Sequence, residues 1–90
     1  MDISFTDLCD AGRPLKHSEL IRLSGLPAEE IKSFSSCFTE TPVSRRRELL
    51  NRLTAIADEY PELEFIGILQ MCLRDPDETV REHATRGLWE

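Results

Sequence analysis

Arg45-Arg46-Arg47 is the one basic run in this chain, and guanidinium groups so placed could grip phosphate or carboxylate. Successive helical residues point about 100° apart, so the three cannot form one flat anion-binding patch. They also fall in the first turns of a helix that the pattern predicts from Pro42 onward, where the helix dipole disfavours cations. That conflict predicts specific carboxylate partners, with Asp75, Asp77 and Glu78 as candidates, through bidentate pairing. A site for an acidic protein partner, with Arg45 and Arg46 as contact residues, and a nucleic-acid contact are the other readings. The remaining reactive side chains are dispersed. Cys9, Cys37, Cys72, His17 and His83 contain no pair at zinc-site spacing, and they read as small buried hydrophobes and surface histidines. Ser33, Ser35, Ser36 and Cys37 crowd one segment, yet nothing there marks a nucleophile elbow or an oxyanion glycine. Glu29-Glu30, Asp58-Glu59 and Glu62 with Glu64 fall at helix ends or on polar faces and read as solvated surface. Gly12, Gly25, Gly67 and Gly87 stand alone, so no phosphate-cradling loop is encoded. The expectation is a chain without catalytic residues, cofactor or metal, and therefore not an enzyme.

Ninety residues with 40% apolar content suit one domain with a modest core. A formal net charge of −6 opposes non-specific binding to nucleic acid or to an anionic membrane surface, since both demand basic groups. The start, Met1-Asp-Ile-Ser-Phe-Thr-Asp, has neither the basic nor the apolar region of a signal peptide. The longest strongly apolar stretch, Leu63 to Leu73, is too short to span a bilayer. Three widely spaced cysteines without a CxxC argue against a disulfide framework, and a reducing cytoplasm is the expected compartment.

The elements that would position these side chains are helices, because prolines at 14, 27, 42, 61 and 76 divide segments whose apolar residues recur at helical spacing. The first, Ser4 to Asp10, carries Phe5, Leu8 and Cys9 and ends at Ala11-Gly12. The second follows Ser18 as N-cap, presents Leu20, Ile21 and Leu23, and is closed by Gly25. The third runs from Pro27 to Thr39 with Ile31, Phe34 and Phe38 as its stripe and Glu29 and Glu30 in its first turn. In the fourth, Thr41 is the expected cap, and Leu49, Leu50, Leu53, Ile56, Ala57 and Tyr60 form a sustained apolar face up to Pro61. Glu48 and Arg52 are placed for an i,i+4 pair. The fifth, Glu62 to Arg74, is apolar nearly all round, with Glu64, Gly67, Gln70 and Arg74 as one narrow polar strip. Such a helix must be covered on several sides. The sixth follows Asp75-Pro76-Asp77, with Asp75 as expected N-cap, Pro76 at N1 and Glu78 at N3. Its inward stripe is Val80, Ala84, Gly87 and Leu88.

The stretch from Glu62 to Trp89 resembles a HEAT-like repeat, the helical hairpin of α-solenoids. The likeness is carried by the apolar first helix (Phe65, Ile66, Leu69, Leu73), the turn Asp75-Pro76-Asp77, and Val80-Arg81, Ala84 and Gly87-Leu88 after it. The resemblance implies that Asp75 and Arg81 act as cap and rung at the repeat junction. It implies an all-α fold of right-handed stacked hairpins, a HEAT-like α-α superhelix with about five to six helices. Residues 1–26 are then an N-terminal cap, 27–60 a divergent helix pair without the Asp-Pro-Asp turn, and 62–90 the repeat, expected to continue beyond residue 90. The implied role is a protein–protein interaction scaffold or adaptor. Its contact face is the polar side of the last helix, Arg81, Thr85 and Arg86. Trp89 is either a partner-binding anchor or core for a following repeat, and self-association through the last two helices is the consequence of leaving that flank open. Two other readings stand beside it. One is a self-contained regulatory helical bundle. The other is an accessory domain of a HEAT-like lyase or DNA-repair enzyme.

Overall fold

The computed structural model describes residues 6–10, 12 and 14–89. Their regular structure is six helical segments: α1 (Thr6–Cys9), α2 (His17–Ile21), α3 (Ala28–Thr39), α4 (Val43–Glu59), α5 (Ile66–Cys72) and α6 (Glu78–Trp89). No strand occurs among the described residues. Pro27 and Pro42 stand at the N-caps of α3 and α4, and Pro61 follows Tyr60, the last residue to donate a backbone hydrogen bond into α4. The expected Phe5 contribution to α1 lies outside the described residues, whereas Leu8 is buried.

α3 and α5 run parallel: the turn before α3 is tied to the link before α5 by the bond from the Gly25 N–H to the Glu64 carbonyl, and further along Ile31 lies over Gly67. α4 and α6 also run parallel, from the Arg47–Asp77 pair to the contact of Thr54 with Gly87. The core lies between these pairs. Phe34, Phe38, Leu49, Leu50, Leu53, Ile68, Leu69 and Val80 are buried there, joined by Leu8 of α1, Leu20 of α2 and Leu23 of the turn after α2. Each such side chain contributes about 1.5–3 kcal/mol by leaving water. The connections are tied across the fold. Gly25, at φ +65°, holds the left-handed conformation that closes the turn after α2, and its N–H donates to the Glu64 carbonyl (2.8 Å). The Glu64 N–H donates in turn to Ser24 Oγ (2.8 Å).

Several local expectations are corrected. The fifth helix is Ile66–Cys72, not Glu62 to Arg74, because residues 61–65 form a turn and an irregular link in which Phe65 is buried without being helical. Gly67 is not part of a polar strip. A Cβ there would collide with Ile31 Cδ1, so the missing side chain is what lets α3 approach α5. Gly87 does the same for α6, where a Cβ would meet Leu69 Cδ1 at 2.9 Å and Thr54 Cγ2 at 3.2 Å. α5 is covered by α6 on one side and α3 on another, which buries Ile68, Leu69 and Cys72 but leaves Ile66 (49%) and Leu73 (40%) exposed. α2 starts one residue before Ser18, with Lys16 as its cap residue. Thr41 does not cap α4. Its hydroxyl donates back to the Cys37 carbonyl (2.9 Å) and so closes α3 instead. Glu48 accepts from Arg45 Nη1 (3.2 Å), leaving Arg52 to donate to the Leu15 carbonyl (3.3 Å).

Candidate functional site

The three consecutive arginines leave α4 in three directions and meet three environments. Arg45 is buried. Its Nε donates to the Leu8 carbonyl (2.8 Å), which fastens α1 to α4. Arg46 points to the start of α6, with its side chain 11% exposed, its Nη1 donating to the Thr41 carbonyl and its Nε 3.1 Å from Asp75 Oδ1. That Nε–H is not aimed at the carboxylate oxygen and has no aligned acceptor, so attraction across the contact is mainly Coulombic. Arg47 is half-exposed and grips Asp77 in a fork, Nε to Oδ2 at 3.0 Å and Nη2 to Oδ1 at 2.7 Å. The guanidinium holds the Asp77 carboxyl down at about 2, with a further contribution from the Val80 N–H. Arg45 and Arg46 are therefore interior fasteners, and the expectation that they form a partner-binding face is corrected. A helical run of three side chains spans most of the helix circumference, so part of it must face inward.

The Asp-Pro-Asp turn is built differently from the expected cap. Asp77, not Asp75, caps α6: its Oδ2 accepts the Val80 N–H (3.0 Å), the N3 position. Pro76 accordingly precedes the cap, and Glu78 is the first helical residue. Asp75 shapes the approach. Its Oδ2 accepts the Asp77 N–H (2.8 Å), an Asx turn, while its own carbonyl receives Arg81 Nη1 (2.7 Å). One buried carboxylate thus bends the turn and faces Arg46, and Arg81 ties the first turns of α6 back to it.

Arg81, Thr85, Arg86 and Trp89 are exposed on α6. Thr85 Oγ1 donates to the Arg81 carbonyl (2.9 Å) and Arg86 Nη2 to Glu82 Oε1 (2.8 Å). Trp89 is 85% exposed, one turn beyond Arg86. Beside this face, α4 and α6 border a groove of about 470 Å³ whose polar lining includes Asn51, Asp58, His83 and Arg86. It exists because small residues, Ala55, Ala57 and Gly87, stand where larger ones would fill it. Sequence reasoning named Arg86 but not the groove, since helical spacing does not reveal which faces of two helices leave a gap.

Cys9 and Cys37 come within hydrogen-bond reach of each other, a contact spacing alone did not suggest. Burial pushes the Cys9 thiol up to about 12, and the Cys37 thiol adds to the rise. Burial likewise pushes Cys72 up to about 12, with Asp75 adding to it. Both therefore hold thiols that are poor nucleophiles near neutral pH. Among the described residues no group of three His, Cys, Asp or Glu side chains is placed to hold a metal ion, and no helix is long and apolar enough to cross a membrane. Set against known proteins, the chain matches no protein-family model, no curated protein and no solved structure.

Proposed function

We propose that this chain is a non-catalytic protein-interaction module built from HEAT-like helical hairpins, acting as a scaffold or adaptor. The observation that carries it is the exposure of Trp89 on the α6 face that also bears Thr85 and Arg86. Tryptophan and arginine are the residues most enriched where binding energy concentrates, and an indole left in water loses about 1.5–3 kcal/mol or more that a partner can recover. The parallel runs of α3 with α5 and of α4 with α6 support the stacked-hairpin part of the reading. Packed helices hold such a face rigid, so docking loses little conformational entropy.

One feature favours a second reading, a self-contained regulatory bundle: the extents of 29 × 28 × 24 Å are nearly equal, with no elongation along a stacking axis. The two readings share the α6 face. The test is to place a photo-crosslinking amino acid at position 89 in producing cells and identify the adducts by mass spectrometry. A defined protein adduct, lost on Arg86→Glu, is expected. Adducts no different from those obtained at the exposed position Glu59 would refute an α6 interaction face.

A further inference from the structure

α1 is a single helical turn, held by the burial of Leu8, by the bond from Arg45 Nε to the Leu8 carbonyl (2.8 Å), and by packing on α3 and α4. Its last residue, Cys9, meets Cys37 of α3, and the two thiols are within hydrogen-bond reach. Both cysteines are half-buried, so a small oxidant reaches them. The third, Cys72, is sealed in the core beside Asp75 and Arg46. Adjacent, partly accessible thiols on two separate helices have the placement of a redox pair, open under reducing conditions and closed under oxidising ones.

We infer that Cys9 and Cys37 are a reversible dithiol–disulfide pair whose oxidation by a low-molecular-weight disulfide straps α1 to α3. Cys37 Sγ, as thiolate, attacks one sulfur of the external disulfide. That S–S bond breaks, and the other half leaves as a thiol carrying the proton Cys37 gave up. Cys9 Sγ then attacks the Cys37 sulfur of the mixed disulfide, the Sγ–Sγ bond forms, and the second half leaves with the Cys9 proton. Two protein thiols are oxidised and one external disulfide is reduced to two thiols. The order follows from burial, which holds the proton on Cys9 against the opposing pull of the Thr41 hydroxyl and the Arg45 guanidinium. Closure is therefore the slow step near neutral pH and quickens as pH rises. Once closed, a loop of about 28 residues loses freedom in the unfolded chain, and α1 stays fastened over Arg45. The pair does not depend on the α6 interaction face.

The test is incubation of the intact chain in glutathione buffers of rising oxidised fraction, an acid quench, and peptide mapping by mass spectrometry without reduction. A Cys9–Cys37 linked peptide, lacking two hydrogens, is expected from the folded monomer. It should outnumber the single glutathione adduct at least about tenfold, because the second thiol is already in place. Tm should rise by about 10 °C, Cys72 should stay unmodified, and dithiothreitol should reverse both changes. Cys9→Ser should stop at the Cys37–glutathione adduct, and Cys72→Ser should close as the wild type does, with circular dichroism checking that each variant keeps the fold. Accumulation of the Cys37 adduct in the wild type without closure overturns the proposal. So does a bond that forms only in urea, or cross-linked dimers in place of the internal bond. An internal bond that leaves Tm unchanged or lower also overturns it, since α1 would then not be strapped.

Discussion

Asp75→Ala should be the most damaging single polar substitution in this protein. The Asp75 side chain is 3% exposed and faces Arg46, itself 11% exposed. Removing one partner of a buried ion pair leaves the other charge without compensation in a poorly solvated site, at a cost of about 3–5 kcal/mol. The Asx-turn bond to the Asp77 N–H is lost as well, but water can reach part of that turn, so the lower half of the range is expected. A domain of this size has about 5–10 kcal/mol of total stability, so the variant should sit near the edge of folding. At about 4–8 °C per kcal/mol, a loss of 3 kcal/mol lowers Tm by about 12–24 °C. Urea unfolding of the wild type, Asp75→Ala, Arg46→Met and the double variant completes a cycle. Because the Arg46 Nε–H is unaligned, the pair itself contributes little, and most of the single-variant cost is the orphaned partner. The double variant should thus recover at least about 2 kcal/mol relative to the sum of the singles. Additive effects, or a loss below about 1 kcal/mol for Asp75→Ala, would refute a buried, coupled pair.

The two close-approach glycines should differ under substitution. Gly87→Ala meets Leu69 and Thr54 from two helices and should cost about 1–3 kcal/mol, whereas Gly67→Ala meets only the mobile end of Ile31 and should be near neutral, as a helix-propensity gain of about 1 kcal/mol offsets the shift. Equal losses in chemical denaturation would contradict this ordering. Asp77 titrates at about 2 in the folded chain against an ordinary 3.8, so its contribution is present above 3.8 and disappears as pH falls from there towards 2. Stability measured from pH 5 to pH 2 should fall less steeply in Arg47→Met; an unchanged slope would show that the fork does not hold the proton off. In the native chain Cys72 should resist a thiol-specific disulfide reagent at pH 8 and react on unfolding, and rapid native labelling at that position, mapped by mass spectrometry, would show that α5 opens.

Read from its residues alone, this chain already declares helices over most of its length. Pro27, Pro42 and Pro61 mark boundaries, and the expected stripes bury Phe34 and Phe38 of α3, Leu49, Leu50, Leu53 and Ile56 of α4, and Val80 and Ala84 of α6, though Tyr60, expected to extend the α4 stripe, lies past the helix and is exposed; 3.6-residue spacing and proline geometry are local properties of the chain. The likelihood of carboxylate partners for the arginine run was also legible, since cations in a first helical turn are locally disfavoured. The tertiary structure decided the rest. It turned Arg45 and Arg46 inward and left Arg47 at the rim, chose Asp77 over Asp75 as the cap of α6, and placed Gly67 and Gly87 under side chains from other helices. It also shortened α5, because residues 61–65 are drawn into a turn tied to Ser24 and Gly25. Apart from the choice of cap, which lies within the Asp75–Val80 window, these outcomes are contacts between groups about 20 to 40 positions apart, won by the contact that satisfies a charge or fills a gap. No window of local sequence contains both partners of such a contact.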